Sequence, residues 1–356
     1  MTAAGVMETR TASAREWMAE EQVDALLVSA EPNLRWLTGF TGEGLLVLDA
    51  EGALLCTDSR YTLQAAEEAP WLEAAAAGGH LEQAIARLNA GGVKSAGFES
   101  AHLTYASYQR LHEALENATP KPLEDRIKRL RAVKDEGEIA LIRRAAEIAD
   151  AGFVELRGQI APLMTEREAA EELRRQMVLR GAEKPSFEVI VASGPNGAMP
   201  HARPGERVIT ENDLIVIDWG AAYHGYSSDC TRTVIVGEPD DRQREVWLAV
   251  REAQMAALEG LQPGMEGREV DAIARGVLRE NGFEREFGHG LGHGVGLEVH
   301  ELPTLGQKSE NTLPVGAVVT IEPGVYIEGW GGVRLEELVV VTESGCEILT
   351  AAPYDL

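Results

Sequence analysis

The sequence predicts an α+β chain in two parts: a compact α/β domain over residues 1–125 and a duplicated helix–helix–strand domain over residues 126–356. Three observations predict it. Helix-like and strand-like segments alternate between about Thr11 and Glu124. A basic, proline-marked stretch starting at Thr119, "TPKPLEDRIKRLRAVK", then interrupts the pattern and marks a boundary. Beyond it, one order of elements (two helices, then strands) occurs twice without residue-level repetition. Two similar halves facing each other place a cleft at their junction. A length of 356 residues suffices for two domains and a substantial core.

In the first part, "SAREWMAEEQ" from Ser13 reads as a helix and "VDALLVSA" from Val23 as a strand. The segment "GLLVLDAEGALLCTD" from Gly44 reads as two strands around an Ala-Glu-Gly turn. "LEQAIARLNAGG" from Leu81 is a helix closed by glycine, "VKSAGFE" from Val93 a strand, and "TYASYQRLHEALEN" from Thr104 a helix. In the second part, helices are expected from about Asp135 to Gly158 and from Thr165 to Arg180. The latter opens with a Thr165–Glu168 capping box and stops at Gly181. The strands "SFEVIVAS", "DLIVIDWG" and "SSDCTRTVIVG" follow, from Ser186, Asp213 and Ser227. The order then recurs: helices from about Asp241 to Gly260 and Arg268 to Asn281, a glycine–histidine stretch, and the strands "GAVVTIEPGVYI" and "GVRLEELVVV" from Gly316 and Gly332.

Composition narrows the function. Hydrophobic residues at 44% and charged residues at 26% give an ordinary globular profile. A net charge of −25 repels phosphate backbones and anionic lipid, which argues against nucleic-acid and membrane-surface partners. The three cysteines, Cys56, Cys230 and Cys346, are scattered and odd in number, which argues against a disulfide framework and fits a reducing compartment. The N-terminal stretch has no apolar core of signal-peptide type, and no run approaches the roughly 18 apolar residues that span a bilayer. A cytoplasmic protein is expected.

One segment has no structural excuse. In "FGHGLGHGVGLEVHE", from Phe287 to Glu301, glycine takes every second position from Gly288 to Gly296, with histidines at His289, His293 and His300. Glycine weakens regular structure through chain entropy, so a segment this rich in it serves something other than stability.

The hairpin-like segments on either side supply the chemistry. Asp218 and Asp229 flank a glycine-containing turn near His224-Gly225. Direct pairing of the two centres the turn between Tyr223 and His224, one position away, a difference a bulge absorbs. Glu322 and Glu336 flank a turn centred at Gly329 in the same way. Facing like charges on a sheet are unfavourable. Two such pairs on apolar strands, one in each half, call for a countercharge, and no lysine cluster lies nearby. Divalent metal is the economical answer. A histidine among glycines can approach a metal unobstructed and can take main-chain angles closed to other residues. With His293 the donor set is Asp218, Asp229, His293, Glu322 and Glu336. Four carboxylates and one neutral imidazole balance two divalent ions, and oxygen-rich donors suit manganese, cobalt or iron at least as well as zinc. Two adjacent ions can acidify a shared water and clamp a tetrahedral intermediate.

These residues resemble those of the pita-bread metallopeptidases, specifically the Xaa-Pro dipeptidases (prolidases) and Xaa-Pro aminopeptidases. The resemblance covers the whole chain and rests on "PHARPGER", "DWGAAYHGYSSDCTRT", "GHGLGHGVGLEVHE", "IEPGVY" and "VRLEE". It implies a creatinase-like α/β N-terminal domain before a pita-bread catalytic domain. It implies two divalent ions per subunit (Mn2+, Co2+ or Zn2+), a homodimer, and Xaa-Pro dipeptides or short Xaa-Pro peptides as substrates. By the same resemblance Asp218 and Asp229 are ligands, Asp229 being shared; His293 and Glu322 belong to one metal and Glu336 contacts both. His201 and His300 then hold substrate carbonyls and stabilise the oxyanion, His289 lines the pocket, Arg334 lies near the site, and Glu322 is the proton shuttle. His80, His102, His112 and His224 receive no role.

One departure stands out. Some similar dipeptidases carry an arginine shortly after the "HE" of this motif, taken to anchor the substrate carboxylate, where this chain has Thr304. Arg35, Arg60 and Arg203 are the replacement candidates. The ligands do not separate dipeptidase from aminopeptidase: modest length favours the former, Thr304 the latter. Methionine aminopeptidases usually lack the N-terminal domain, creatinase lacks the five ligands, and non-catalytic relatives typically lose ligands that this chain keeps.

Overall fold

The structure is a computed structural model that describes residues 3–50, 52–124 and 126–354. By its internal contacts the chain divides into Met1–Arg131 and Ala132–Leu356. The boundary expected after residue 125 falls on a position outside the described residues.

The first unit is built on a six-stranded mixed sheet. Its central strand, Ala25–Val28, is a wholly buried apolar run between an antiparallel neighbour, Leu45–Asp49, and a parallel one, Ser95–Glu99. That double burial is why "ALLV" shows no alternation. The proline-marked stretch is structured: Thr119–Leu123 is a parallel strand at the sheet's edge, and Arg126–Arg131 is a helix. An edge strand tolerates Pro120 and Pro122 because it needs ladder donors on one side only. The helix Glu31–Thr38 has no counterpart among the sequence expectations. Its start is held by buried Glu99, which accepts from the Ala30 amide at 2.7 Å and the Asn33 amide group at 2.6 Å.

The second unit repeats a plan. Helices Glu136–Arg157 and Glu166–Leu179 precede the first half's strands, and helices Asp241–Gly260 and Gly267–Glu280 precede the second's. Reciprocal capping boxes at Asp135–Glu138, Thr165–Glu168 and Asp240–Gln243 start helices in both halves. The first helix turns Ile142, Ala145, Ala149, Phe153 and Leu156 inward at helical spacing. Phe153 stacks on Trp219 with ring centroids 4.3 Å apart, and the Trp219 indole donates to the Ala149 carbonyl at 2.9 Å. Trp219 is fully buried beside Asp218, so this contact fixes the end of the strand that carries an acidic residue into the cleft.

Each half then forms a hairpin that changes sheet midway. Strands Leu214–Trp219 and Cys230–Ile235 pair with each other, while Ala221–Tyr223 and Tyr226–Ser227 continue the same hairpin in a separate small sheet. In the second half Val318–Ile321 pairs with Glu337–Thr342, and Gly324–Ile327 with Gly331–Arg334 in its own two-stranded sheet. Asp229, Glu322 and Glu336 sit at the switch points between the sheets, where the backbone leaves the ladder.

The first hairpin departs from the expected register. Asp218 lies opposite Thr231, not Asp229, and the pairing continues without a bulge to Tyr223 opposite Tyr226. The turn therefore sits at His224-Gly225, with φ of 45° and 73°. Positive φ at both central residues is what a tight two-residue hairpin turn requires. Turn chemistry outranked the carboxylate pairing, and Asp229 lies diagonal to Asp218. In the second hairpin Gly324 faces Arg334 and Ile321 faces Glu337, the register that sets Glu322 opposite Glu336.

The glycine–histidine stretch also differs from expectation. Part of it is strand, Gly292–Gly294, between Glu301–Leu305 and Val318–Ile321. The glycines of this stretch do not have positive φ. They are needed for close approach instead: a Cβ on Gly292 would stand 2.0 Å from the Thr320 carbonyl oxygen, and one on Gly294 2.2 Å from that of Leu302.

Candidate metal centre

The sequence-predicted site residues converge. His201, Asp218, Asp229, His289, His293, His300, Glu322, Arg334 and Glu336 all line one cavity of about 520 Å³ in the second unit. Within it, ligand atoms of Asp229, His293 and Glu336 lie within 4.8 Å of one another. The His293 Nε2 is 3.7 Å from Asp229 Oδ2 and 3.3 Å from Glu322 Oε1. Its Nδ1 is 3.1 Å from the Gly294 carbonyl, which can only accept, so Nδ1 carries a proton and Nε2 faces the carboxylates.

Hydroxyls that the sequence reading did not single out bind the two halves at this point. The Thr231 hydroxyl donates to Glu336 Oε2 at 2.7 Å and accepts from Arg334 Nε at 3.1 Å. The Glu336 amide donates to the Thr231 carbonyl at 3.0 Å, and Thr233 both donates to and accepts from the Arg334 backbone. The Thr320 hydroxyl accepts from the His293 amide and donates to Glu322 Oε1, each at 3.1 Å. Strand alternation was the available signal, since Thr231 lies two residues from Asp229 on one face. Threonine in a strand reads first as propensity, which hid it.

Arg334 is buried and fully engaged. It donates to Asp218 Oδ2 at 2.6 Å, to the Tyr326 hydroxyl at 2.8 Å and to the Pro200 carbonyl at 3.2 Å. Tyr326, also missed in the sequence, in turn meets His289 Nε2 at 2.9 Å. His289 Nδ1 is 2.7 Å from the Gly290 carbonyl and must donate there, so Nε2 accepts from Tyr326. A directed chain thus runs from Arg334 through Tyr326 to His289.

The electrostatics of the chain alone are unfavourable. Burial pushes the Asp229 and Glu336 carboxyls well above the ordinary range, and repulsion among the carboxylates adds to it. Burial raises Asp218 as well, although Arg334 opposes it. Glu322 goes the other way: burial disfavours its charge, but the hydrogen bond and positive charge of His293 bring it down to about 2. Asp218 Oδ1 is buried and has no hydrogen-bond donor, because the one hydrogen of the Thr231 hydroxyl is committed to Glu336. Crowded carboxyls held against ionisation, an orphaned buried oxygen and one imidazole nitrogen aimed among them fit divalent cations. Asp218, Asp229, His293, Glu322 and Glu336 are the residues that could hold them.

Arg35 and Arg60 belong to the first unit. Arg60 is exposed and paired with Asp58 at 2.7 Å and Glu43 at 3.0 Å. The Thr304 hydroxyl meets Ser309 and Asn311, each at 2.9 Å.

A duplicated fold closing on a buried, acidic, histidine-bearing cavity defines a metal-dependent hydrolase. The chain belongs to metallopeptidase family M24, whose model matches residues 140–343, and the creatinase/prolidase N-terminal domain matches residues 10–133. Divalent metal use follows from that membership. The chain is 36% identical over 354 residues to the Xaa-Pro dipeptidase of Pyrococcus horikoshii, covering 99% of each. Among solved structures it is similar to an Xaa-Pro dipeptidase from Bacillus anthracis, with a TM-score of 0.96 at 39% identity over 98% of this chain and 99% of that one. It is also similar to an X-Pro aminopeptidase from Thermotoga maritima, with a TM-score of 0.89 at 39% identity, covering 94% and 98%. Among the described residues no helix is long and apolar enough to cross a membrane.

Proposed function

We propose that this protein is an Xaa-Pro dipeptidase that hydrolyses the peptide bond preceding proline, using two divalent ions held by Asp218, Asp229, His293, Glu322 and Glu336. The observation that carries the reading is the convergence of every predicted donor on one cavity, with Asp229, His293 and Glu336 already at mutual ligand distance. Manganese, cobalt and zinc are the ions that suit the donors. A homodimer working in the cytoplasm completes the reading, and the free Cys56, Cys230 and Cys346 fit that reducing compartment.

Bound there, the ions supply the charge that polarises the scissile carbonyl and acidifies a water. The chain's own groups do the rest. A bond before proline lacks an amide hydrogen, so recognition rests on the carbonyl, the ring and the chain ends. His201 and His300 are exposed on the cavity wall, where they can donate to the substrate carbonyl and the developing oxyanion. His300 is held edge-on to His293, ring centroids 4.2 Å apart. Glu322 Oε1 accepts from the Thr320 hydroxyl and lies 3.3 Å from His293 Nε2, while among the described residues its Oε2 has no hydrogen-bonded partner. That oxygen can take the water's proton and return it to the leaving proline nitrogen, which a secondary amine requires. Arg334 holds Asp218 in place and, through Tyr326, fixes the tautomer of His289.

Two observations favour a second reading, an Xaa-Pro aminopeptidase acting on longer peptides. Thr304 offers no cation, and the chain is equally identical, at 39%, to the Thermotoga aminopeptidase and the Bacillus dipeptidase. The test strips the metal, restores manganese, cobalt or zinc separately, and compares Leu-Pro with Leu-Pro-Gly. Metal-dependent cleavage that strongly prefers Leu-Pro is expected. Comparable cleavage of the tripeptide establishes the aminopeptidase instead, and no cleavage of either refutes both.

A further inference from the structure

A dipeptide presents a carboxylate one residue beyond the scissile bond, and a cavity lined with acidic side chains must hold it with a cation. Among the described residues, two arginines line the cavity, Arg203 and Arg334. Arg334 is buried and committed to Asp218, Thr231, Tyr326 and Pro200. Arg203 is exposed, and among the described residues its side chain has neither a hydrogen bond nor an ion pair. Even Glu188, exposed on the same cavity's wall, is not within ion-pair distance of it.

The backbone around Arg203 is fixed, so the free side chain projects from a rigid base. On one side the buried Ala202 donates its amide to the Met199 carbonyl at 3.1 Å. On the other, the Gly205 amide donates at 3.2 Å to Glu166, whose wholly buried carboxylate also accepts from the Ser193 amide at 2.7 Å. Arg203 lies two residues after His201, so one short loop carries both an imidazole for the carbonyl and a guanidinium for an anionic end. A planar guanidinium matches a carboxylate with two parallel hydrogen bonds.

We propose that Arg203 anchors the C-terminal carboxylate of the substrate and thereby makes the cavity selective for dipeptides ending in proline. This rests on the Xaa-Pro reading above and assigns its substrate class to a residue of this chain. An anchor of this kind acts on binding, not on the reacting bond.

The test compares wild type, Arg203→Ala, Arg203→Lys and Lys308→Ala, all metal-loaded, on Leu-Pro and on Leu-Pro-amide, which lacks the charged end. Lys308 is the control because it is exposed on a neighbouring cavity that shares His289, Gly290 and Gly292 with this one. Wild type is expected to prefer Leu-Pro. Arg203→Ala should raise KM for Leu-Pro about 10- to 100-fold, the range for a charge-assisted contact, with kcat within about twofold and Leu-Pro-amide unchanged. Arg203→Lys should keep part of the preference through its point charge. Equal effects of Arg203→Ala on both substrates overturn the anchor, as does a selective loss in Lys308→Ala alone. So does a wild type indifferent to amidation, which leaves Xaa-Pro hydrolysis standing. A wild type that cleaves no Xaa-Pro bond overturns both readings.

Discussion

The two hairpins that carry the proposed metal ligands follow one plan and solve one problem differently. Asp229 and Glu336 occupy equivalent places, each immediately before an outgoing strand, Cys230–Ile235 or Glu337–Thr342. The incoming strands diverge. The second hairpin's register sets Glu322 opposite Glu336, so two carboxylates face each other and His293 stands against one of them. In the first hairpin Asp218 faces Thr231, and its charge is met by Arg334 from the other half. Duplication thus copied the geometry of the backbone switch, not the pairing of charges. Where like charges face each other the chain sets an imidazole against them, at the proposed metal site; where they are offset it uses a guanidinium.

Removing the proposed shared ligand should break the arrangement most severely. Asp229 is buried among Glu336, Asp218 and Glu322, all of which oppose its charge. Asp229→Ala should abolish stoichiometric metal binding in calorimetry and reduce turnover by about 1000-fold or more, an effect of roughly 4 kcal/mol. Metal-free Asp229→Ala should meanwhile melt no lower than metal-free wild type, because one repelling carboxylate is gone. Retained metal and activity would refute the ligand assignment.

Next in size is a group behind the same sheet. Residues alternate faces along these strands: Thr231 and Glu336 meet in the cleft, while Arg232 and Glu337 pair behind it at 2.9 Å, buried at both ends. Arg232 also donates to the Ala352 carbonyl at 2.8 Å and stacks on Tyr354 at 3.9 Å, which clamps the chain's last described residues. Asp150 lies at this cluster, accepting from the Ala351 amide at 2.6 Å, and burial pushes its pKa up to about 6. A raised carboxyl favours the folded state while protonated. That contribution is complete below pH ~4 and is lost as pH rises through about 6. Asp150→Asn keeps the acceptor without the charge. It should be more stable than wild type by about 2–3 kcal/mol at pH 7.5, with the gap closing by pH ~4. Denaturant unfolding at the two pH values checks it, and a gap independent of pH would exclude this cause.

The offset register can also be sharpened directly. Thr231→Val preserves the strand and removes the hydroxyl shared by Glu336 and Arg334. Leaving buried Arg334 Nε without an acceptor should cost about 2 kcal/mol of stability. Metal affinity should weaken while stoichiometry persists, which separates a positioning residue from a ligand. Loss of stoichiometric metal would mean that Thr231 does more than orient Glu336.

Much of this was legible in the sequence because it depends on periodicity and on chemistry that few residues supply. Helix Asp241–Gly260 matches its expected span, and the Thr165–Glu168 capping box is present. The residues that line the cavity were readable as candidate donors because aspartate, glutamate and histidine on apolar strands have few other uses. What escaped depends on how segments approach one another. The register of the first hairpin turned on two φ angles at His224-Gly225. The glycines around His293 answered to neighbouring carbonyls that no local pattern reveals. Tyr326 shares strand parity with Glu322, yet its role exists only because Arg334 and His289 flank it.

The smallest expected effect lies at the two turns and tests what set the registers. Tyr223 pairs with Tyr226 across two residues, whereas Ile327 pairs with Gly331 across three, with Gly329 at φ 73°. The first turn places a non-glycine residue, His224, at φ 45°. Histidine tolerates that region less well than asparagine, so His224→Asn should raise stability by about 0.5 kcal/mol. His224→Val, β-branched and strained there, should lower it by about 1 kcal/mol or more. If the turn sets the register, the valine variant should also lose metal affinity, because a slip of one residue turns Asp218 away from the cleft. Valine and asparagine variants equal in stability and metal affinity would mean that the Asp218–Arg334 contact sets the register, with the turn merely following.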